Sequence, residues 1–347
     1  MILFYYKKVI ISLVLFLLCG CFPQSYQNIE NKFKQDTCFK YHYQLLNKNQ
    51  KQLYQTIYNI AYARKQNINI KEKDIEAVSE IVYAILKDHP ELFYIKEWSL
   101  DKRGLFSFEY NMKEKTILKN QKKIKKIVKQ VKQNTKDLEQ YQKIKYIYDY
   151  IITQCKYNEK AKYNQEIISV LLNHQSVCSG YAKTLQYLLN QLGLKTTFLA
   201  AEATIDGKTN KHAINMIKYD HDYYYIDATW GDLVLDDGEI INNNYLMFDS
   251  QTLENIYNLE DSYQITKDGK HTYYKEEGLY FDSYQLSALK AKVDQNKNEC
   301  YFQFSNQVYN DAKERLTQKG DSYRLIEGVD QIQYIADDQM RTIYLKW

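Results

Sequence analysis

The chain has 347 residues, 45% of them hydrophobic, enough to bury a substantial core in one large domain or two coupled ones. Its formal charge of +4 falls to about +2 once Lys7 and Lys8 are set aside, which argues against nucleic acid as a partner. No Cys-x-x-Cys pair and no His-Glu-x-x-His motif occurs, so neither a metal site nor a cofactor is expected.

At the N-terminus, Lys7-Lys8 precede an apolar stretch from Val9 to Leu18. That is the length of a signal-peptide core and too short to span a bilayer. The stretch ends in Leu18-Cys19-Gly20-Cys21, which resembles a bacterial lipobox with Cys21 as the acceptor thiol. Residues 1–20 are therefore expected to be a lipoprotein signal peptide and residues 21–38 a polar tether. Acylation of Cys21 would anchor the protein outside the cytoplasm, on the bacterial cell membrane.

Residues 43–65 and 72–87 read as helices. Leu92 to Trp98 and Leu105 to Tyr110 read as strands joined by a turn at Arg103-Gly104. Residues 113–135 and 138–154 are again helical. Between Lys119 and Lys132 lysines alternate with Ile124, Ile127 and Val131 at helical spacing. Attraction to an anionic membrane or wall polymer is one reading, and a solvated helix face is the expected one.

From Cys178 the apolar residues fall at Tyr181, Leu185, Leu188, Leu189 and Leu192, and Gly193 supplies a stop. Cys178 thus opens a buried helix, where the positive dipole end and unpaired N–H groups favour a thiolate and could hold an oxyanion. His212 to Lys218 and Tyr223 to Ala228 form a predicted hairpin. A loop at Tyr219-Asp220 would set His212 opposite Asp227, and a loop at Asp220-His221 would make them diagonal neighbours. Either register allows contact. Cysteine, histidine and aspartate in this order offer a nucleophile, a base and the carboxylate that orients the base.

The segments Val177-Cys178-Ser179-Gly180-Tyr181-Ala182, His212-Ala213-Ile214-Asn215 and Tyr225-Ile226-Asp227-Ala228-Thr229-Trp230 resemble the transglutaminase-like cysteine enzymes. The separations, 34 residues from Cys178 to His212 and 15 more to Asp227, fit that family. Asp88-His89-Pro90-Glu91-Leu92-Phe93-Tyr94 and the stretch from Glu277 to Tyr284 look like the flanks of bacterial lipoproteins carrying this domain. The chain departs from the pattern at Ile214, where the family often has tryptophan. The resemblance implies an α+β, papain-like core with a cysteine-bearing helix packed on an antiparallel sheet. It also implies a Cys178, His212, Asp227 triad and protein or peptide substrates at the cell surface. The expected division is an N-terminal α+β region at 39–138, a catalytic core at 139–255 and a C-terminal α+β region at 256–347. That last region has a strand at 299–304, a helix near 310–318 and a closing hairpin.

Three residues have competing readings. His174, four positions before Cys178, is a rival base without a comparable carboxylate partner. Asp227 could instead cap a strand end, and Trp230 reads as a wall of the core or groove. With Cys19 removed and Cys21 acylated, Cys38, Cys155, Cys178 and Cys300 remain. Export would permit a Cys38–Cys300 bridge, which sequence leaves open. The expected activity is thiol-dependent hydrolysis of amides through a thioester. The alternatives are a cross-linking transglutaminase and an inactive surface interaction protein of the same fold.

Overall fold

The structure, a computed structural model, describes residues 24–25, 29–36, 38–205, 208–235 and 238–347. The apolar leader and Cys21 lie outside the described residues. Among the described residues no helix is long and apolar enough to cross a membrane.

The expected helix at 43–65 is two helices, Tyr41–Leu45 and Lys48–Tyr62. The break falls at Asn47, whose side chain accepts from the N–H groups of Asn49 and Gln50 while Gln50 returns a bond to Asn47. An asparagine that can cap competes with continued helix, so the chain restarts there. The carboxylate of Asp88 anchors the start of the first helix, accepting from the N–H groups of His42 and Tyr43 at 3.0 and 2.8 Å. Tyr54 donates to it as well. The expected tether is docked rather than loose over much of its length. Gln24–Ser25 pairs with Ile68–Asn69, and Phe33 binds Asn59 and packs on Tyr43, Tyr54 and Tyr58.

The helices Glu114–Asn134, Gln140–Gln154 and Cys178–Gln191 follow the expected periodicity. One continuous core joins Tyr54, Ile57, Val82 and Phe106 of the N-terminal region to Ile124, Ile147, Tyr181 and Leu188. The N-terminal region is therefore packed into the same core as the cysteine helix.

The central sheet is antiparallel in the order Tyr257–Leu259, Thr196–Ile205, Lys208–Tyr219, Asp222–Ile226. One face packs Phe198, Ala200 and Ala213 against Cys178 and Ala182 of the cysteine helix. Leu199, Ile214, Met216 and Tyr225 pack in a second cluster with Phe248, Leu253 and Ile256. The fold is thus mixed α+β, with the cysteine helix on an antiparallel sheet, and Asn215 fastens the two by donating to the carbonyl of Ala182. The C-terminal sheet, in the order Tyr280–Phe281, Glu299–Phe304, Thr342–Lys346, Gln333–Asp337, has its own core around Phe302, Leu316 and Leu345.

The bridge between Cys38 and Cys300 does not form, and both thiols are free. Cys38 packs against Gln191 at the end of the cysteine helix, whereas Cys300 is buried in the core of the C-terminal sheet.

Gly180 is where the cysteine helix comes closest to its surroundings. A Cβ there would lie 2.0 Å from Ser176 Oγ and 2.8 Å from the carbonyl oxygen of Asn164. Ser176 cannot simply retreat, because its hydroxyl bonds Asn164 and Ser169. Gly193 has φ +83 and open space around it, so a methyl there meets only backbone strain. In urea denaturation Gly180→Ala should lose about 3 kcal/mol and Gly193→Ala about 1 kcal/mol. Equal losses would contradict the tight approach at Gly180.

Candidate active site

Cys178 is the first residue of its helix and 8% exposed. No side chain caps this end, so the field of the helix N-terminus is directed at the thiol. His212 lies on the strand Lys208–Tyr219, paired with Ala201. The hairpin closes at Tyr219 and Asp222, with Asp220 at φ +51, which selects the Asp220-His221 loop of the two expected registers. His212 and Asp227 are accordingly diagonal neighbours.

Asp227 ends its strand and caps the helical turn Ala228–Gly231. Its Oδ1 accepts from the N–H groups of Thr229 and Trp230 at 2.9 and 3.1 Å. Its Oδ2 accepts from His212 Nε2 at 2.6 Å and from the Tyr257 hydroxyl at 2.8 Å. Oδ1 thus serves the cap, and Oδ2 faces His212 and Tyr257. A carboxylate only 1% exposed needs this many donors to remain charged.

With Nε2 committed to Asp227, Nδ1 is the ring nitrogen left for Cys178, which is near enough to the imidazole to help raise its pKa. Burial alone would lower the His212 pKa. The charge and hydrogen bond of Asp227 outweigh it, with a further contribution from Cys178, and raise the pKa to about 10. Burial first, and then Asp227, hold the Tyr257 phenol well above its usual range, so it stays a hydrogen-bond donor.

The three sequence-selected residues are thus brought together, and the rival histidine is not among them. His174 sits in the left-handed position that ends the helix Ile167–Asn173, with Nδ1 against the carbonyl of Gln154. His221 is on the exposed loop beside Asp220.

From sequence Trp230 read only as a wall of the core or groove, and Tyr257 and Tyr157 had no role. Trp230 stacks on the His212 ring with centroids 4.7 Å apart, and Tyr257 lies 6.1 Å away on a similar plane. The imidazole therefore has aromatic neighbours even though Ile214 is not aromatic. Ile214 itself is fully buried in the core. Tyr157, half exposed, lies near enough to Cys178 to feel its charge. Burial and then the charge of Cys178 raise its pKa to about 12. Trp230 follows Asp227 closely and could have been found as its neighbour. Tyr257 is 30 residues beyond Asp227 and reaches it only through strand pairing with Ala203.

A second cluster gathers Asp36, His89 and Glu91, with ligand-capable atoms all within 4.8 Å of one another, where the sequence suggested no metal site. Lys40 lies 2.9 Å from Asp36 Oδ2 and donates to the carbonyls of Asp36 and Cys38. The cluster therefore already contains a cation, supplied by the chain itself.

Removing the Asp227 charge should reverse the balance at His212. In Asp227→Asn, burial is largely unopposed, and the His212 pKa should fall from about 10 by roughly two units or more. A histidine titration followed by NMR reads this directly, and an unchanged pKa would contradict the assigned cause. The stability sign follows. Because the folded-state pKa lies above the unfolded value, the parent pair stabilises fully below about pH 6.5. That contribution is lost as pH rises towards about 10.

The sequence model of the transglutaminase-like superfamily matches residues 125–228, which include Cys178, His212 and Asp227. No curated protein matches the chain. Among solved structures, the chain is similar to a TGase at 17% identity and TM-score 0.30, over 39% of this chain and 44% of that one. It is also similar to a Cytophaga hutchinsonii protein provisionally described as a cysteine protease, at 15% identity and TM-score 0.29, over 43% of this chain and 56% of the other. The chain therefore spans about half the length of each. Residues 125–228 carry a transglutaminase-like superfamily domain.

Proposed function

We propose that this chain is a thiol acyl-transfer enzyme that cleaves protein or peptide amides at the bacterial cell surface. The observation that carries this reading is one buried imidazole held between a helix-terminal thiol and a fully hydrogen-bonded carboxylate. Cys178 Sγ attacks the amide carbonyl, and N–H groups of the first helical turn receive the oxyanion. His212 then gives its Nδ1 proton to the leaving amine, and a thioester remains on Cys178. Water, deprotonated by His212, attacks the thioester and releases the acid and the free thiol. Asp227 holds the ring in register and keeps the imidazolium stable, making no bond to substrate. Tyr257 and Trp230 hold Asp227 and the ring in place. The three side chains supply nucleophile, base and orienting charge without a cofactor.

Hydrolysis is preferred to cross-linking because water outcompetes amines by concentration unless a groove excludes it. The lipobox adds a place of action, outside the cytoplasm on a membrane reached through acylated Cys21.

The activity test uses dimethylated casein and a labelled primary amine, with ammonia and new amino termini followed in parallel. Cys178→Ala and His212→Ala should each lose at least about a thousandfold, and the double variant should be no worse than either. Asp227→Ala should keep a small residual rate. Near-parental turnover in His212→Ala would remove the base assignment. Amine incorporation faster than hydrolysis would move the reading to a cross-linking transglutaminase. A parent chain as silent as Cys178→Ala would favour the inactive surface protein.

A further inference from the structure

The helix Glu114–Asn134 carries eight lysines and one glutamate, a net +7 against +4 for the whole chain. The remainder of the chain is therefore net negative by three, and this one helix holds the positive excess. Ile117, Ile124, Val128 and Val131 are buried in the core. Lys115, Lys119, Lys122, Lys126 and Lys129 recur at i, i+4, i+7, i+11 and i+14, a straight stripe on the opposite face. It runs about 21 Å at 1.5 Å per residue. All five are exposed, and the helix's one acid, Glu114, pairs with Arg64 instead. Like charges at this spacing destabilise a helix, so the stripe opposes folding unless something negative faces it.

We propose that this stripe is a docking surface for an anionic lipid bilayer, and that it lays the domain against the membrane to which Cys21 is attached. Two observations favour a bilayer over a soluble or wall polyanion. Leu118, beside the stripe, is 50% exposed, and an apolar side chain among lysines gains from a headgroup layer but not from a dissolved polymer. The described chain is also tied in from Gln24, which pairs with Ile68 in the N-terminal sheet. Cys21 stands three residues away, a reach of about 10 Å. An acyl anchor on so short a leash would hold the domain against the bilayer, whose surface potential falls off over about 8 Å at physiological salt. Arg64, four residues before Ile68, pairs with Glu114 and so links the anchored end to the start of the basic helix. The proposal leans on the Cys21 reading for place and on the charge distribution for chemistry.

The test uses the full chain expressed in bacteria in four forms: parent, Cys21→Ala, a stripe variant with Lys115, Lys119, Lys122, Lys126 and Lys129 changed to glutamine, and the combination. Parent and stripe variant should stay with membranes even in high salt. Cys21→Ala should stay at low salt and leave at high salt, and the combination should be soluble at both. Cys21→Ala resisting high salt would place the anchor elsewhere and overturn the lipid-anchor reading alone. Cys21→Ala leaving the membrane equally with and without the lysines would overturn the docking surface alone. In flotation, purified Cys21→Ala protein should partition onto phosphatidylglycerol vesicles and not phosphatidylcholine. Each lysine removed should lower partition about fivefold at low salt. Equal affinity for both vesicles, or retention by the cell wall without vesicle binding, would also overturn it.

Discussion

The carboxylate of Asp227 is the interaction on which the site depends. A charge buried to this degree is tolerated only when its acceptor positions are filled. Here two backbone N–H groups, an imidazole and a phenol fill them. The four donors come from three constraints: the two N–H groups from the capped turn after the strand, the imidazole from the neighbouring strand, and the phenol from the edge strand at Tyr257. The geometry of His212 is therefore set by the closure of the sheet rather than by local sequence. The aromatic layer of Trp230, Tyr257 and Phe248 then restricts where the ring can move.

The thiol is positioned by different forces. Gly180 lets the cysteine helix settle against Ser176 and Asn164, and Asn215 ties the helix to the sheet that carries His212. The same helix is packed into the core shared with the N-terminal helices and reaches back to them through Gln186, which donates to the carbonyl of Lys87. Asp88, next in sequence, organises the start of the first helix. The N-terminal region is thus part of the scaffold of the site, and its removal would expose core residues of the cysteine helix.

Cys178, His212 and Asp227 stood out in the sequence at a helix start and on one hairpin, and their spacing resembled that of the transglutaminase-like enzymes. The hairpin arithmetic allowed two registers, and the pairing of Tyr219 with Asp222 decided between them. Tyr257 was not legible, since nothing in its neighbourhood signals a partner 30 residues earlier. The break at Asn47 was missed because helical periodicity continues through it, while a reciprocal cap wins over one more turn. The docking of residues 24–25 and 29–36 was missed because polar composition reads as tether. Its contacts are a short strand pairing, one bond to Asn59 and a single phenylalanine among tyrosines. The lysine-rich helix was visible in the sequence, but a modest net charge made its +7 look like an ordinary solvated face.

A pH series of iodoacetamide labelling on the folded protein, read cysteine by cysteine, tests the central claim most directly. Burial holds Cys38 and Cys300 at a pKa of about 12 and Cys155 at about 11, so these three should stay silent through neutral pH. Cys178, at a helix N-terminus and beside His212, should label well before them. It should lose that reactivity in His212→Ala. If Cys178 labels only in alkali, in step with the other three and regardless of His212, it is a buried structural thiol and the site has no activated nucleophile.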